Sequence, residues 1–245
     1  MSQVQRIVGE LRGLAPHVPF DDFLDTVNIS LKHKYIFVTN PKCACSTVQA
    51  ILIRLELSDK AFEFADHMHI HLREYSPLLN PLQVGDFRRL AQDESFFRFC
   101  FVRNPYHRIL SCYLDKIKND RPPKRTLLRQ IGRNPNEPFD ISFREFVNIV
   151  ARQPVGAMNR HWRVQYYQTL QDSMSYHLVG RFESFREDMD KVSDALGCQL
   201  SDFDNRTHQN RTDAGNLLDE YYDQSLRDAV FQTYRKDFEH FGYDR

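Results

Sequence analysis

The chain is poor in glycine, balanced in charge and without a long apolar run, and each shortage excludes something. Nine glycines occur among 245 residues. None falls in the segment YIFVTNPKCACSTVQAILIRL, residues 35–55, so the familiar nucleotide-binding loop G-x-x-x-x-G-K-[ST] is missing there. Lysine plus arginine equals aspartate plus glutamate at 33 each, so net charge gives no reason to expect nucleic acid as a partner. No apolar run approaches the roughly 20 residues of a membrane span. The first residues, MSQVQRIVGELRGLAPHVPF, lack the basic start and apolar centre of a secretory signal. A soluble, cytoplasmic chain is expected. The five cysteines are an odd number, with Cys100 and Cys112 in apolar segments; reduced thiols fit better than a disulfide framework. No repeat or low-complexity tract is present, and the length suits one α/β domain or at most two small ones.

What is present is a series of strand-loop-helix units. Residues 35–39 read as an apolar strand, and Ser46 to about Leu57 as a helix with Val48, Ile51, Leu52 and Leu55 at helical spacing. RFCFV, 98–102, is a second strand, followed by Asn104 as helix cap and Pro105 at the first helical position. HLVGRFE, 177–183, is a third strand. SFRE occurs twice, at 142–145 and 184–187, and both copies predict a capping box. Leu218, Tyr222, Leu226, Val230, Tyr234 and Phe238 recur every four residues and predict one long C-terminal helix. Such units imply an α/β fold with a mostly parallel central sheet flanked by helices, in which ligands sit at the carboxyl ends of strands. Lys42 and Arg103 both fall just past strand ends.

The first loop reads as an anion site. Amides at the start of the 46–57 helix lack intrahelical partners and, with the helix dipole, favour a negative ligand. Ser46 and Thr47 add hydroxyls, Lys42 a mobile charge, and Ala44 and Cys45 take the place of small glycines. In the second loop, FCFVRNPYHRILSCY, Arg103 offers a planar fork suited to phosphate, with Ser111 two turns into the next helix. An ordinary strand-helix turn with an exposed lysine, and an arginine paired within the fold, are the bland alternatives.

Taken together, these segments resemble sulfotransferases. VTNPKCACST resembles their 5′-phosphosulfate loop, and FVRNPYHRILSCY resembles their 3′-phosphate motif, in which a serine follows an arginine by eight residues as Ser111 follows Arg103. NRHWRVQ, 159–165, LVGRFESFREDM, 178–189, and YRKDFEHFGY are similar to segments of the Golgi carbohydrate sulfotransferases that act on chondroitin and related glycans. NRTDA, 210–214, resembles an Arg-Thr element near the nucleotide. The similarity runs in order from about residue 35 to 243, behind an N-terminal extension, 1–33. Those enzymes carry a membrane anchor and luminal stem, and neither is expected here. The resemblance implies a single sulfotransferase domain of P-loop-kinase-like fold. It implies transfer of a sulfuryl group from 3′-phosphoadenosine 5′-phosphosulfate (PAPS) to a hydroxyl, leaving 3′-phosphoadenosine 5′-phosphate (PAP), with no metal required. Lys42 would stabilise the leaving phosphate oxygen. Residues Lys42, Cys43, Ala44, Cys45, Ser46 and Thr47 would hold the 5′ end, Arg103 and Ser111 the 3′-phosphate, and Arg211 and Thr212 would close over the nucleotide.

The acceptor's proton needs a base, and DHMHIHL offers His67, His69 and His71. The resemblance ranks His67 first and His69 second. Alternating histidines joined by Cys43 and Cys45 could instead hold zinc, the weaker reading. His161 and Arg163, beside Trp162, are candidates for acceptor contact. The segment 118–133 carries Lys118, Arg121, Lys124, Arg125, Arg129 and Arg133 against Asp120. With Pro122-Pro123 breaking it, at most a turn or two of helix is expected. Either it is a solvated basic surface, or Arg121, Lys124 and Arg125 border a cleft for an anionic acceptor. A carbohydrate acceptor is the leading reading. A lipid or small-molecule hydroxyl, and a PAP-binding module without turnover, are the alternatives.

Overall fold

The computed structural model describes residues 3–66, 70–205 and 217–245. In chain order the helices are α1 (Gln3–Leu14), α2 (Phe20–Thr26), α3 (Cys45–Leu57), α4 (Phe87–Gln92), α5 (Pro105–Cys112), α6 (Pro122–Gln130), α7 (Phe143–Val150), α8 (Gln165–Gln168), α9 (Phe185–Leu196), α10 (Leu218–Tyr221), α11 (Gln224–Thr233) and α12 (Arg235–Phe241). The strands are β1 (Val27–Ser30), β2 (Tyr35–Val38), β3 (Phe97–Val102) and β4 (Leu178–Arg181). The chain divides into two compact units, residues 1–102 with 166–209, and residues 103–165 with 210–245.

The first unit contains the sheet, in the order β1-β2-β3-β4. β2, β3 and β4 are parallel, and β1 is antiparallel to β2. The three strands expected from sequence are β2, β3 and β4. β1 adds a fourth that sequence reading missed: Val27-Asn28-Ile29-Ser30 alternates apolar and polar residues over only four positions, and its polar residues are buried as well. The two-residue period of a strand sorts the core. Tyr35, Phe37, Phe99 and Phe101 pack on one face with Val48, Ile51, Leu52 and Leu55 of α3 and Met189 and Val192 of α9. Val27, Ile29, Ile36, Val38 and Cys100 pack on the other with Leu11 of α1, Phe23 of α2 and Phe87 of α4. The segment 1–33 therefore supplies an edge strand and part of the core. Gly180 lies opposite Phe101 in the β3-β4 register. A Cβ there would come within 2.5 Å of the Phe101 ring, so the ring needs the missing side chain.

The second unit is helical around an aromatic cluster. Tyr113 packs against Phe143, Phe146 and Tyr221, Phe146 stands edge-on to the buried Trp162, and Tyr106 meets Tyr222 and Phe238. α5 runs on into a π-helical stretch, Tyr113–Lys118.

Three expectations about helices need correction. The basic segment holds α6, a nine-residue helix. Pro122 and Pro123 occupy its first positions, where a missing N–H costs nothing, and so start the helix rather than break it. The predicted long C-terminal helix is three shorter ones. Its apolar face is real, with Tyr222, Leu226, Val230, Tyr234 and Phe238 all buried. The backbone turns extended at Tyr222 and Asp223, and the Asp223 side chain caps α11 by accepting from the Leu226 N–H. Of the two SFRE copies, only the first is a capping box. Ser142 Oγ accepts from Glu145 N at 3.2 Å, and Glu145 Oε2 accepts from Ser142 N at 2.8 Å. In the second copy Ser184 Oγ donates to Asp188 Oδ2 at 2.8 Å, which also accepts from Arg181 N at 2.8 Å.

Candidate functional site

The loop after β2 is tied at both ends. Asn40 Nδ2 donates to the Phe101 carbonyl on β3 at 3.1 Å, and Cys43 N donates to the Asn40 carbonyl at 3.2 Å. Cys43 is buried and joins the core beneath the loop. Its neighbours Lys42 and Ala44 take positive φ, 72° and 60°. This left-handed region is where glycine would sit, and a side chain there costs about 1–2 kcal/mol. A loop without glycine thus adopts glycine-like geometry. Ala44 is the N-cap of α3, no side chain caps the helix, and its first turn has no acidic residue.

Ser46 and Gln49 lie one turn apart on α3 and share a face. Both reach the ring of His71: Ser46 Oγ is 2.8 Å from Nε2 and Gln49 Oε1 is 2.8 Å from Nδ1. Gln49 Nε2 in turn donates to Asn28 Oδ1 at 3.4 Å. Asn28 Nδ2 donates to the carbonyls of Thr26, at 3.0 Å, and Phe37, at 3.3 Å. Two residues on, Arg73 directs its guanidinium to the carbonyls of Leu24, Asp25 and Val27, and burial pulls it down to about 10. The Ser46–His71–Gln49 contact was not foreseen. The only signal for it in sequence is the three-residue spacing of Ser46 and Gln49.

In the second unit, the turn at Arg103 is closed differently. Asn104 Oδ1 caps α5 by accepting from Tyr106 N at 2.9 Å, and Pro105 follows at the first position. Both backbone groups of Arg103 are held by one side chain: Arg103 N donates to Gln165 Oε1 at 3.0 Å, and Gln165 Nε2 donates to the Arg103 carbonyl at 2.8 Å. Gln165 is itself fixed, its N–H donating to the buried Asp237 Oδ2 at 2.9 Å. Arg103 is 7% exposed, and Ser111 is buried in α5. Gln165 therefore acts as the clamp of this turn, a role that sequence reading did not assign although the residue ends NRHWRVQ.

The remaining candidates are scattered in environment. His161 is half-buried, with its ring Nδ1 2.7 Å from Asn159 Oδ1. Arg163 is 1% exposed and donates to the Met158 carbonyl at 2.7 Å, which suits support better than contact with an acceptor. Lys124 is buried on α6, 3.3 Å from Asp120, whereas Arg121 and Arg125 are exposed. Thr47, Cys45 and Lys42 are half-buried. His67, His69, Arg211 and Thr212 lie outside the described residues. Among the described residues no group of histidine, cysteine and carboxylate side chains could hold a metal.

A family model described as "Sulfotransferase family" matches residues 25–244, from the start of the sheet almost to the C-terminus. The chain belongs to the sulfotransferase family. Relatives of this sulfotransferase include carbohydrate sulfotransferase 11 of Mus musculus, 24% identical over 234 residues, covering 86% of this chain and 65% of that protein. Carbohydrate sulfotransferase 9 of Homo sapiens is 23% identical over 233 residues, covering 86% of this chain and 52% of that protein. Carbohydrate sulfotransferase 10 of Xenopus laevis is 23% identical over 261 residues, covering 96% and 72%. The chain thus spans between about half and two-thirds of the length of the first two relatives. No solved structure matches significantly.

Proposed function

We propose that the chain transfers a sulfuryl group from PAPS to a hydroxyl of a carbohydrate, in a P-loop-kinase-like sulfotransferase fold. The observation that carries this reading is the loop at 39–44, within the family-matched region. It holds Lys42 and Ala44 at positive φ ahead of a helix without a capping side chain. In this reading the loop serves as an anion site, and the donor's 5′-phosphosulfate suits the chemistry of a turned loop ahead of an uncapped helix. Carbohydrate as the acceptor class rests on the names of the relatives.

In this reading the loop amides, Ser46 and Thr47 hold the 5′-phosphate, and Arg103 and Ser111 hold the 3′-phosphate, with Arg211 and Thr212 beside the nucleotide. The acceptor oxygen forms a bond to sulfur as the bond from sulfur to the phosphate oxygen breaks. Lys42 stabilises the charge that develops on that oxygen, and the acceptor's proton passes to His67, with His69 the second choice. Positioning and electrostatics do most of the work, as in phosphoryl transfer. A cytoplasmic setting belongs to the same proposal. The test is incubation with radiolabelled PAPS and a panel of glycans and simple alcohols. Label in a glycan supports the reading. Label only in a lipid or small alcohol moves the acceptor to that class, and PAP binding without any transfer identifies a binding module.

A further inference from the structure

We propose that Gln165 is a positioning residue for the guanidinium of Arg103, held in turn by Asp237, so that the segment from Met158 to Gln165 serves recognition of the donor's 3′-phosphate. The inference rests on the donor reading above, and gives roles to residues that the similarity of motifs leaves unassigned. Gln165 uses both polar atoms of its amide on the backbone of Arg103, at 3.0 Å and 2.8 Å, much as one strand residue pairs with another. A side chain whose own N–H and carbonyl are both held starts from one fixed Cα–Cβ direction. Fewer orientations of the guanidinium then remain to be lost when an anion is bound. Arginine gains most from such a root, because its side chain is long and its planar fork recognises phosphate by direction as well as by charge.

The segment that carries Gln165 is itself held at one backbone atom after another. From α5, Arg108 donates to the carbonyls of Arg163 at 2.8 Å and Arg160 at 3.2 Å. From the junction of α11 and α12, Tyr234 Oη donates to the Trp162 carbonyl at 2.6 Å. From α12, Asp237 Oδ2 accepts from Gln165 N at 2.9 Å. Within the segment Arg163 closes back on the Met158 carbonyl at 2.7 Å, and Trp162 Nε1 donates to Gln153 Oε1 at 2.9 Å. Arg108, Arg163 and Asp237 are each at most 2% exposed. Burying charged groups is costly, and an apolar core of the same volume is often no less stable. What the polar groups supply is direction: each bond fixes one atom of the segment, and the last two reach Arg103. α5 also carries Ser111, three residues after Arg108, so both groups assigned to the 3′-phosphate are tied to one frame.

The experiment is titration of the whole chain with PAP and with adenosine 5′-monophosphate, which lacks the 3′-phosphate, for the parent, Gln165→Met, Asp237→Ala and the double variant. Methionine is close to glutamine in length but has no N–H to donate. Gln165→Met should weaken PAP about tenfold and change the monophosphate by less than about twofold. A purely structural role would instead weaken both nucleotides alike. Asp237→Ala should lower the preference for PAP about threefold or more, and adding it to Gln165→Met should lower it no further, since Asp237 acts through Gln165. Asp237→Asn, whose Oδ1 can still accept from the Gln165 N–H, should keep most of the preference and serves where Asp237→Ala does not fold. Hydrogen exchange of the ligand-free parent needs no variant, and should show the Arg103 amide protected. An unchanged preference in folded Gln165→Met, an equal loss for both nucleotides, or an unprotected Arg103 amide overturns the proposal. A preference as low in Asp237→Asn as in Gln165→Met, or a further loss in the double variant, overturns the part given to Asp237. A parent that does not bind PAP, or binds both nucleotides equally, overturns the donor reading itself, a distinct result.

Discussion

α3 and α5 each follow a strand of the parallel sheet, and their first turns are finished in different ways. α3 begins at Ala44, a residue with no capping oxygen held at φ 60°, after Lys42 at φ 72°. α5 begins at Asn104, which caps it, with Pro105 filling the next position. The first has no side-chain cap and carries strain in the loop before it. The second is capped by its own asparagine, and the backbone of Arg103 just before it is gripped by Gln165. Under the proposed function, the strained turn and the capped one would offer different kinds of anion contact: a cradle of amides in one case and a guanidinium fork in the other.

The comparison can be broken most directly at Arg103. If recognition in the closed turn belongs to the side chain, Arg103→Ala weakens PAP binding about 100-fold or more, and Arg103→Lys recovers only part of it, both read by titration. In the open turn the side chain that matters is expected to act on rate. Lys42→Ala should lower turnover about 100-fold while PAP affinity falls less, a split measured by steady-state kinetics beside titration. Gln165→Ala removes two buried hydrogen bonds from the Arg103 backbone. It should cost about 2–4 kcal/mol in denaturant unfolding and weaken PAP binding indirectly. At Ala44 the effects are smaller and of opposite kinds. Ala44→Gly should change stability by less than about 1 kcal/mol, since relief of strain is offset by glycine's greater freedom when unfolded. Ala44→Val should destabilise by about 2 kcal/mol, because a branched side chain tolerates positive φ poorly. The smallest effect is expected at α6: Arg121→Glu with Arg125→Glu should raise the acceptor KM severalfold at low salt, less at high salt, and leave PAP affinity unchanged.

The layout of both turns was legible in sequence because it depends on local chemistry. An apolar strand, a small-residue turn and a helix with Val48, Ile51, Leu52 and Leu55 on one face can be read without tertiary information. Asn104-Pro105 announces its own cap. What could not be read depends on partners distant in sequence. Gln165 is 62 residues from the backbone it clamps, and Asn28 is linked to Ser46 only through Gln49 and His71. The two SFRE copies make the same point: identical tetrapeptides diverge because Asp188 competes for the second serine and no rival meets the first. The four-residue repeat from Leu218 to Phe238 gave the buried face correctly. It concealed the breaks, because Asp223 is as good a cap as it is a surface residue on a helix.

Titration of the parent chain with PAP and with adenosine 5′-monophosphate tests the central claim most directly, since the two nucleotides differ by the 3′-phosphate alone. PAP should bind with a dissociation constant of about micromolar or below, and the monophosphate at least about 100-fold more weakly, as it reaches the open turn but not the arginine fork. Equal affinity for the two would contradict the division of labour between the turns, and no binding of PAP would contradict the account as a whole.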